Sequence, residues 1–135
     1  MKAQPYINFE GHAEEALNFY KKAIGAEIGM VMRCGEAPEG PTPRPELKDK
    51  ILHSEFRVGS TVLFASDGYN SNNAKFEGIS IALEVANEAE ADRAFTALAD
   101  GGAVTMPLTK TFFAKSFGML KDKFGVTWMI NCPAM

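Results

Sequence analysis

Two histidines occur in the chain, His12 and His53. His53 lies in the run ILHSEFRV, followed at alternate positions by Glu55 and Arg57. In an extended strand, alternate residues share one face. An imidazole that titrates near neutrality would then stand in one row with a carboxylate and a guanidinium. His53 and Glu55 are therefore the candidate catalytic pair, the carboxylate orienting the imidazole for proton transfer. The competing reading is a solvated face on which Glu55 and Arg57 are simply exposed charges. Other chemistries lack their residues. His12 and His53 cannot form a His-Glu-x-x-His metal motif, and no Cys-x-x-Cys occurs. There is no Gly-x-Ser-x-Gly, no serine followed three residues later by lysine, and no P-loop. Cys34 and Cys132 make no disulfide framework and read as reduced thiols buried as small hydrophobes.

The row on His53 needs a hairpin to hold it. Residues 51–58 and 61–67 read as strands around Gly59-Ser60, a tight two-residue turn. This register sets Val58 against Thr61, Arg57 against Val62, Glu55 against Phe64 and His53 against Ser66. One face then carries His53, Glu55, Arg57, Val62, Phe64 and Ser66. The other carries Leu52, Phe56, Val58, Leu63 and Ala65, a core facing helices. In a closing hairpin with its turn at 122–125, Lys121 would pair with Val126. Ser116, Gly118 and Leu120 would then share a face with Thr127, Met129 and Asn131, leaving Phe117, Met119, Trp128 and Ile130 to the helix side.

The remaining elements follow from spacing and breakers. Strands are expected at 4–9, 26–34, 78–85 and 103–108, and helices at 12–24 and from Asn87 to the Gly101-Gly102 stop. Glu90, three residues after Asn87, completes a capping-box pattern. Residues 35–50 hold Pro38, Pro41, Pro43 and Pro45 and read as a long loop. The order is strand, helix and three strands, and then the same again. It is an internal repeat of two βαβββ modules, about 1–67 and 78–135, within one domain.

Composition narrows the function classes. At 135 residues, with 46% hydrophobic and 23% charged residues, the chain suits a globular domain rather than a disordered one. A net charge of -3 argues against nucleic acid as a partner. No apolar run reaches the ~20 residues of a membrane span. MKAQPYINFEGH lacks the apolar stretch of a signal peptide, so the expected location is cytoplasmic.

Three segments carry a family resemblance: PYINFEGHAEEALNFYKKAIGAEI, ILHSEFRVGSTVLFASD and TFFAKSFGMLKDKFGVTWMIN. With them the chain resembles the vicinal oxygen chelate superfamily, which includes glyoxalase I, bleomycin-resistance proteins and extradiol dioxygenases. Within it, the chain is similar to the PhnB-like group, often labelled 3-demethylubiquinone 3-methyltransferase-like. No Gly-x-Gly-x-x-Gly loop supports that label. The resemblance implies an α+β fold of paired βαβββ modules, whose curved mixed sheets surround a cup, and a homodimer. Metal-dependent members ligate a divalent ion from the first and last strands of each module. Carried over, those positions fall on Pro5, Phe64, Ser80 and Met129, none a good ligand for such an ion. No metal and no cofactor are therefore expected.

On the same resemblance the cup is lined by Phe9, Phe64, Leu120 and Met129, and by His53, Glu55, Arg57, Ser66, Ser80, Ser116 and Asn131. Pro5, Ile7 and Phe9 would face the cup from the first strand. Ser80, Ala82 and Glu84 would do so from the fifth. Such a mixed lining suits a small organic ligand. The expected function is metal-free binding of a small molecule. The alternatives are a metal-independent isomerase, lyase or hydrolase using His53 and Glu55, and an interaction protein whose product is its dimer surface.

Overall fold

The computed structural model describes residues 1–36 and 45–134. It divides into two compact units, Met1–Ala74 and Lys75–Met135. The first contains β1 (Tyr6–Asn8), α1 (Ala13–Ile24), β2 (Glu27–Arg33), β3 (Ile51–Val58) and β4 (Thr61–Ser66). The second contains β5 (Ser80–Glu84), α2 (Glu88–Ala99), β6 (Ala103–Thr109), β7 (Ala114–Lys121) and β8 (Thr127–Pro133). The fold is thus α+β, a βαβββ unit made twice. The sheet orders also match, β1-β4-β3-β2 and β5-β8-β7-β6. In each, the first strand runs parallel to the last, and the other neighbours are antiparallel. The repeat expected from element order is present. Short 3-10 turns at Cys34–Glu36 and Pro45–Leu47 replace the ends of the expected loop, whose residues 37–44 lie outside the described residues.

Each helix covers one face of its own sheet. In α1, Ala13, Ala16, Leu17 and Tyr20 recur at helical spacing and are buried. Tyr20 stacks on Phe56 of β3, with ring centroids 5.8 Å apart. Gly25 adopts φ 67° and ends the helix, its N–H donating to the Lys21 carbonyl. His12 stands at the N-cap without capping it through its side chain. Asp67, 3% exposed and distant in sequence, serves instead. Its carboxylate accepts from Ala13 N at 2.8 Å and from Ile51 N at 2.6 Å. A negative charge there also favours the positive end of the helix. Asp67→Asn is expected to lower stability by about 1–2 kcal/mol in chemical denaturation, because one acceptor oxygen becomes an amide NH2 that cannot accept and the other loses its charge.

In α2 the Asn87 side chain accepts from Glu90 N at 2.8 Å, the first half of the expected capping box. The Glu90 carboxylate reaches back to Ala86 N rather than to Asn87. Ala91, Ala94, Phe95 and Leu98 form the buried stripe. The second core centres on Trp128, Leu120 and Ile130, all 0% exposed.

Leu52 departs from the expected split of faces. It is 45% exposed, whereas Ile51 is 2% exposed. Met32 lies opposite His53, yet Arg33 lies opposite Ile51. Leu52 is therefore an extra residue on β3, and this bulge turns it outward while Ile51 takes the inward place.

Candidate functional site

The open face of the first sheet, opposite α1, gathers an aromatic cluster around His53. The β3–β4 register agrees with the sequence expectation, with Val58 against Thr61, Arg57 against Val62 and Glu55 against Phe64. Gly59 alone of the two turn residues has positive φ, 57°, as a type II′ turn requires. His53 and Phe64 accordingly share a face, with ring centroids 5.3 Å apart.

The third ring is Tyr6, which the sequence reading assigned to the opposite face. β1 runs parallel to β4 with Tyr6 beside Phe64, Ile7 beside Ala65 and Asn8 beside Ser66. Tyr6 and Asn8 therefore face the site. Ile7 and Phe9 turn into the core, and Phe9 is 1% exposed. Phe9 lies against Tyr20 of α1 rather than lining an open face. Alternation of apolar Ile7 and Phe9 with polar Tyr6 and Asn8 is the signal that places them correctly.

The Tyr6 hydroxyl lies 2.9 Å from His53 Nδ1. Tyr6 ring centroids stand 5.5 Å from His53 and 5.8 Å from Phe64. Which of the two donates follows the imidazole tautomer. Tyr6, not Glu55, is thus the group that orients His53. Among the described residues, neither His53 Nε2 nor the Glu55 carboxylate has a hydrogen-bond or ion-pair partner. Arg57 is paired with Glu27 of β2 across the strands. Ser66 is 4% exposed, and its hydroxyl is engaged. It donates to Asn8 Oδ1 at 2.7 Å and accepts from Gly68 N at 3.0 Å. His12 is remote from this cluster and contacts Asn72 and Glu15.

Beside the site, Glu10 fixes the segment that follows β4. Its carboxylate accepts from the Ser71 hydroxyl at 2.6 Å and from the backbone N–H groups of Tyr69 and Ser71. The Ser71 hydroxyl, aided by those N–H groups and opposed by burial, holds the Glu10 carboxyl below its usual value.

In the second unit the sheet face opposite α2 differs from expectation on one strand. Lys121 pairs with Thr127, not Val126. The turn is one residue longer than expected. Gly125, at φ 94°, follows a tight turn, and Asp122 N donates to Val126 O at 2.8 Å. One extra residue moves every β7 side chain to the other face. Phe117 and Met119 therefore share the open face with Asn131 and Met129, their partners on β8. Ser116, Gly118 and Leu120 turn inward, with Ser116 opposite Cys132. Ser116 and Leu120 are consequently buried. On β5, Ser80, Ala82 and Glu84 lie beside Thr127, Met129 and Asn131, as expected. The Asn131 Oδ1 is buried and has no hydrogen-bond partner among the described residues.

The donor set does not fit the divalent ion of the superfamily's metal-dependent members. Tyr6, rather than Pro5, lies beside Phe64, and Ala82, rather than Ser80, lies beside Met129. A neutral phenol, a phenyl ring, a methyl group and a thioether offer no set of hard oxygen and nitrogen ligands. Among the described residues, no three His, Cys, Asp or Glu side chains are grouped to hold a metal ion. Among the same residues, no helix is long and apolar enough to cross a membrane.

Comparison with known proteins supplies a family. A family model described as 3-demethylubiquinone-9 3-methyltransferase matches residues 1–131. The chain is 42% identical to protein PA1353 from Pseudomonas aeruginosa, with a TM-score of 0.86 over 98% of each chain. It is 32% identical to a Bacillus cereus PhnB protein, a putative 3-demethylubiquinone-9 3-methyltransferase by its description. There the TM-score is 0.79 over 98% of this chain and 99% of that one. Protein YjdN of Escherichia coli is 32% identical over 97% of this chain and 95% of its own length. The fold alone extends to the fosfomycin resistance protein FosX of Mesorhizobium loti, at 12% identity and a TM-score of 0.65 over 100% of this chain and 93% of that one.

Proposed function

This chain belongs to the family described as 3-demethylubiquinone-9 3-methyltransferase, and from that membership we propose that it is a PhnB-like binding protein for a small organic molecule. It acts without the superfamily's metal, as a cytoplasmic homodimer. The observation that carries this reading is the cluster of Tyr6, His53 and Phe64 on an open sheet face. Three rings there offer stacking area, and His53 Nε2 is left for a ligand. An apolar wall with a few uncommitted polar groups is the usual composition of a small-molecule site. In the second unit, Ser80, Phe117, Met119, Met129 and Asn131 offer a comparable mixed face.

The family's description names methyl transfer. The chain has no Gly-x-Gly-x-x-Gly loop of the kind that would cradle a nucleotide-like donor, and binding is the reading adopted. A second reading is favoured by the hydrogen bond between Tyr6 and His53. A phenol that holds the imidazole ring through Nδ1 leaves Nε2 to exchange a proton with a bound molecule. The reaction would be a metal-independent isomerisation, elimination or hydrolysis, with Glu55 near the same ligand.

A thermal-shift screen of small organic molecules tests the binding reading. A ligand at 100 times its Kd stabilises by about 2.7 kcal/mol, which raises Tm by several degrees in a domain of this size. Stabilisers that lose their effect in Phe64→Ala are expected. A screen whose stabilisers act equally on Phe64→Ala would remove this face from the function.

A further inference from the structure

We propose that the open face of the first sheet selects an organic cation, a protonated amine carrying an aromatic or alkyl body, with Glu55 as its counter-charge. This rests on the small-molecule reading above and names the ligand class.

Charge on this row is unevenly committed. Glu55 stands in the row with His53, opposite Phe64, and is half-buried. Among the described residues it has no ion-pair or hydrogen-bond partner. Arg57, the cation of the same row, is already neutralised by Glu27. The ring of His53 is already engaged at Nδ1 by the Tyr6 hydroxyl, 2.9 Å away. The row therefore presents one carboxylate without a partner, while its guanidinium is already paired. The rings of Tyr6 and Phe64 add quadrupoles that attract cations over their faces.

Space beside Glu55 is provided by Gly29. A Cβ built at Gly29 would lie 3.5 Å from the Glu55 carbonyl and 3.9 Å from its Cβ, in ordinary contact. Its backbone is not in the left-handed region, so a larger residue fits there without strain. Gly29 thus leaves one flank of the Glu55 stem uncovered. An anionic ligand would meet Glu55 with like charge and find only His53 Nε2 in compensation.

The test uses the full chain and three probes of similar shape: 2-phenylethylammonium, neutral 3-phenylpropanol and anionic 3-phenylpropanoate. Binding is read by NMR titration of the Tyr6, His53 and Phe64 signals. The ammonium is expected to bind about tenfold more tightly than the alcohol and the carboxylate more weakly still. Glu55→Gln should erase the preference for the ammonium over the alcohol. Gly29→Met, which covers the flank, should weaken all three. Circular dichroism checks that both variants keep the fold. Equal or tighter binding of the carboxylate at the same signals would overturn the charge assignment and leave the binding reading standing. So would an ammonium preference that survives Glu55→Gln. If no probe perturbs these signals, the cation assignment fails, while the binding reading stands or falls on the thermal-shift screen. Concentration-dependent shifts without any probe would mean that a second copy covers the face, and would overturn the proposal as well.

Discussion

Replacing Asp122 by alanine is expected to lower the unfolding free energy by about 3–5 kcal/mol. Asp122 is 2% exposed and closes the β7–β8 turn from within. One oxygen accepts from Phe124 N at 2.9 Å and Val126 N at 3.1 Å. The other accepts from Trp128 Nε1 at 2.9 Å. The substitution would remove the acceptor of a buried indole N–H and of two backbone N–H groups, and a buried N–H costs about 1–3 kcal/mol when unsatisfied. It would also loosen the turn that sets the register of β7 on β8. Trp128 is the single tryptophan, so its fluorescence reports the same element during urea unfolding. Asp122→Asn should fall between, since one acceptor oxygen remains. A loss under about 1 kcal/mol for the alanine variant would mean that water or nearby groups replace these bonds easily.

The second large effect concerns His53. Any turnover found for this protein is expected to fall by ~10²-fold or more in His53→Ala, the usual worth of a positioned acid or base. Tyr6→Phe keeps the ring contacts and removes the hydroxyl that lies 2.9 Å from Nδ1. It should act through His53, shifting the pH dependence of turnover while changing affinity little. Tyr6 is in this sense a positioning residue. Turnover unchanged in His53→Ala would remove the proton-transfer reading, leaving binding alone. Loss of affinity in Tyr6→Phe equal to that in Tyr6→Ala would assign Tyr6 to direct ligand contact instead.

Much of the first unit was legible because the Gly59-Ser60 turn admits one register. A two-residue loop leaves no slack, so Glu55 against Phe64 followed from its length. The β7–β8 hairpin was not legible in the same way. The end of its turn depends on whether Val126 belongs to the loop, and the Asp122 carboxylate decides that by holding the N–H of both Phe124 and Val126. That contact inverted the places of Ser116 and Phe117. On β1 the error came from transferring a ligand position to Pro5 when local alternation favoured Ile7 and Phe9 as the buried pair. Leu52 leaves the alternation of β3 for a different reason. A bulge is a property of two paired strands and leaves no mark on either one alone. The candidate site was thus half visible. His53, Glu55 and Phe64 came from one hairpin, whereas Tyr6 joins them only through a parallel pairing 58 residues away in the chain.

The central claim is that a small organic molecule binds on the face built by Tyr6, His53, Glu55 and Phe64. Chemical-shift mapping of the strongest thermal-shift stabiliser tests it most directly, on the full chain with no metal added. The account predicts that the largest perturbations fall on those four residues and weaken sharply in Phe64→Ala. Perturbations centred elsewhere on the chain, with Tyr6 and His53 unmoved, would contradict it.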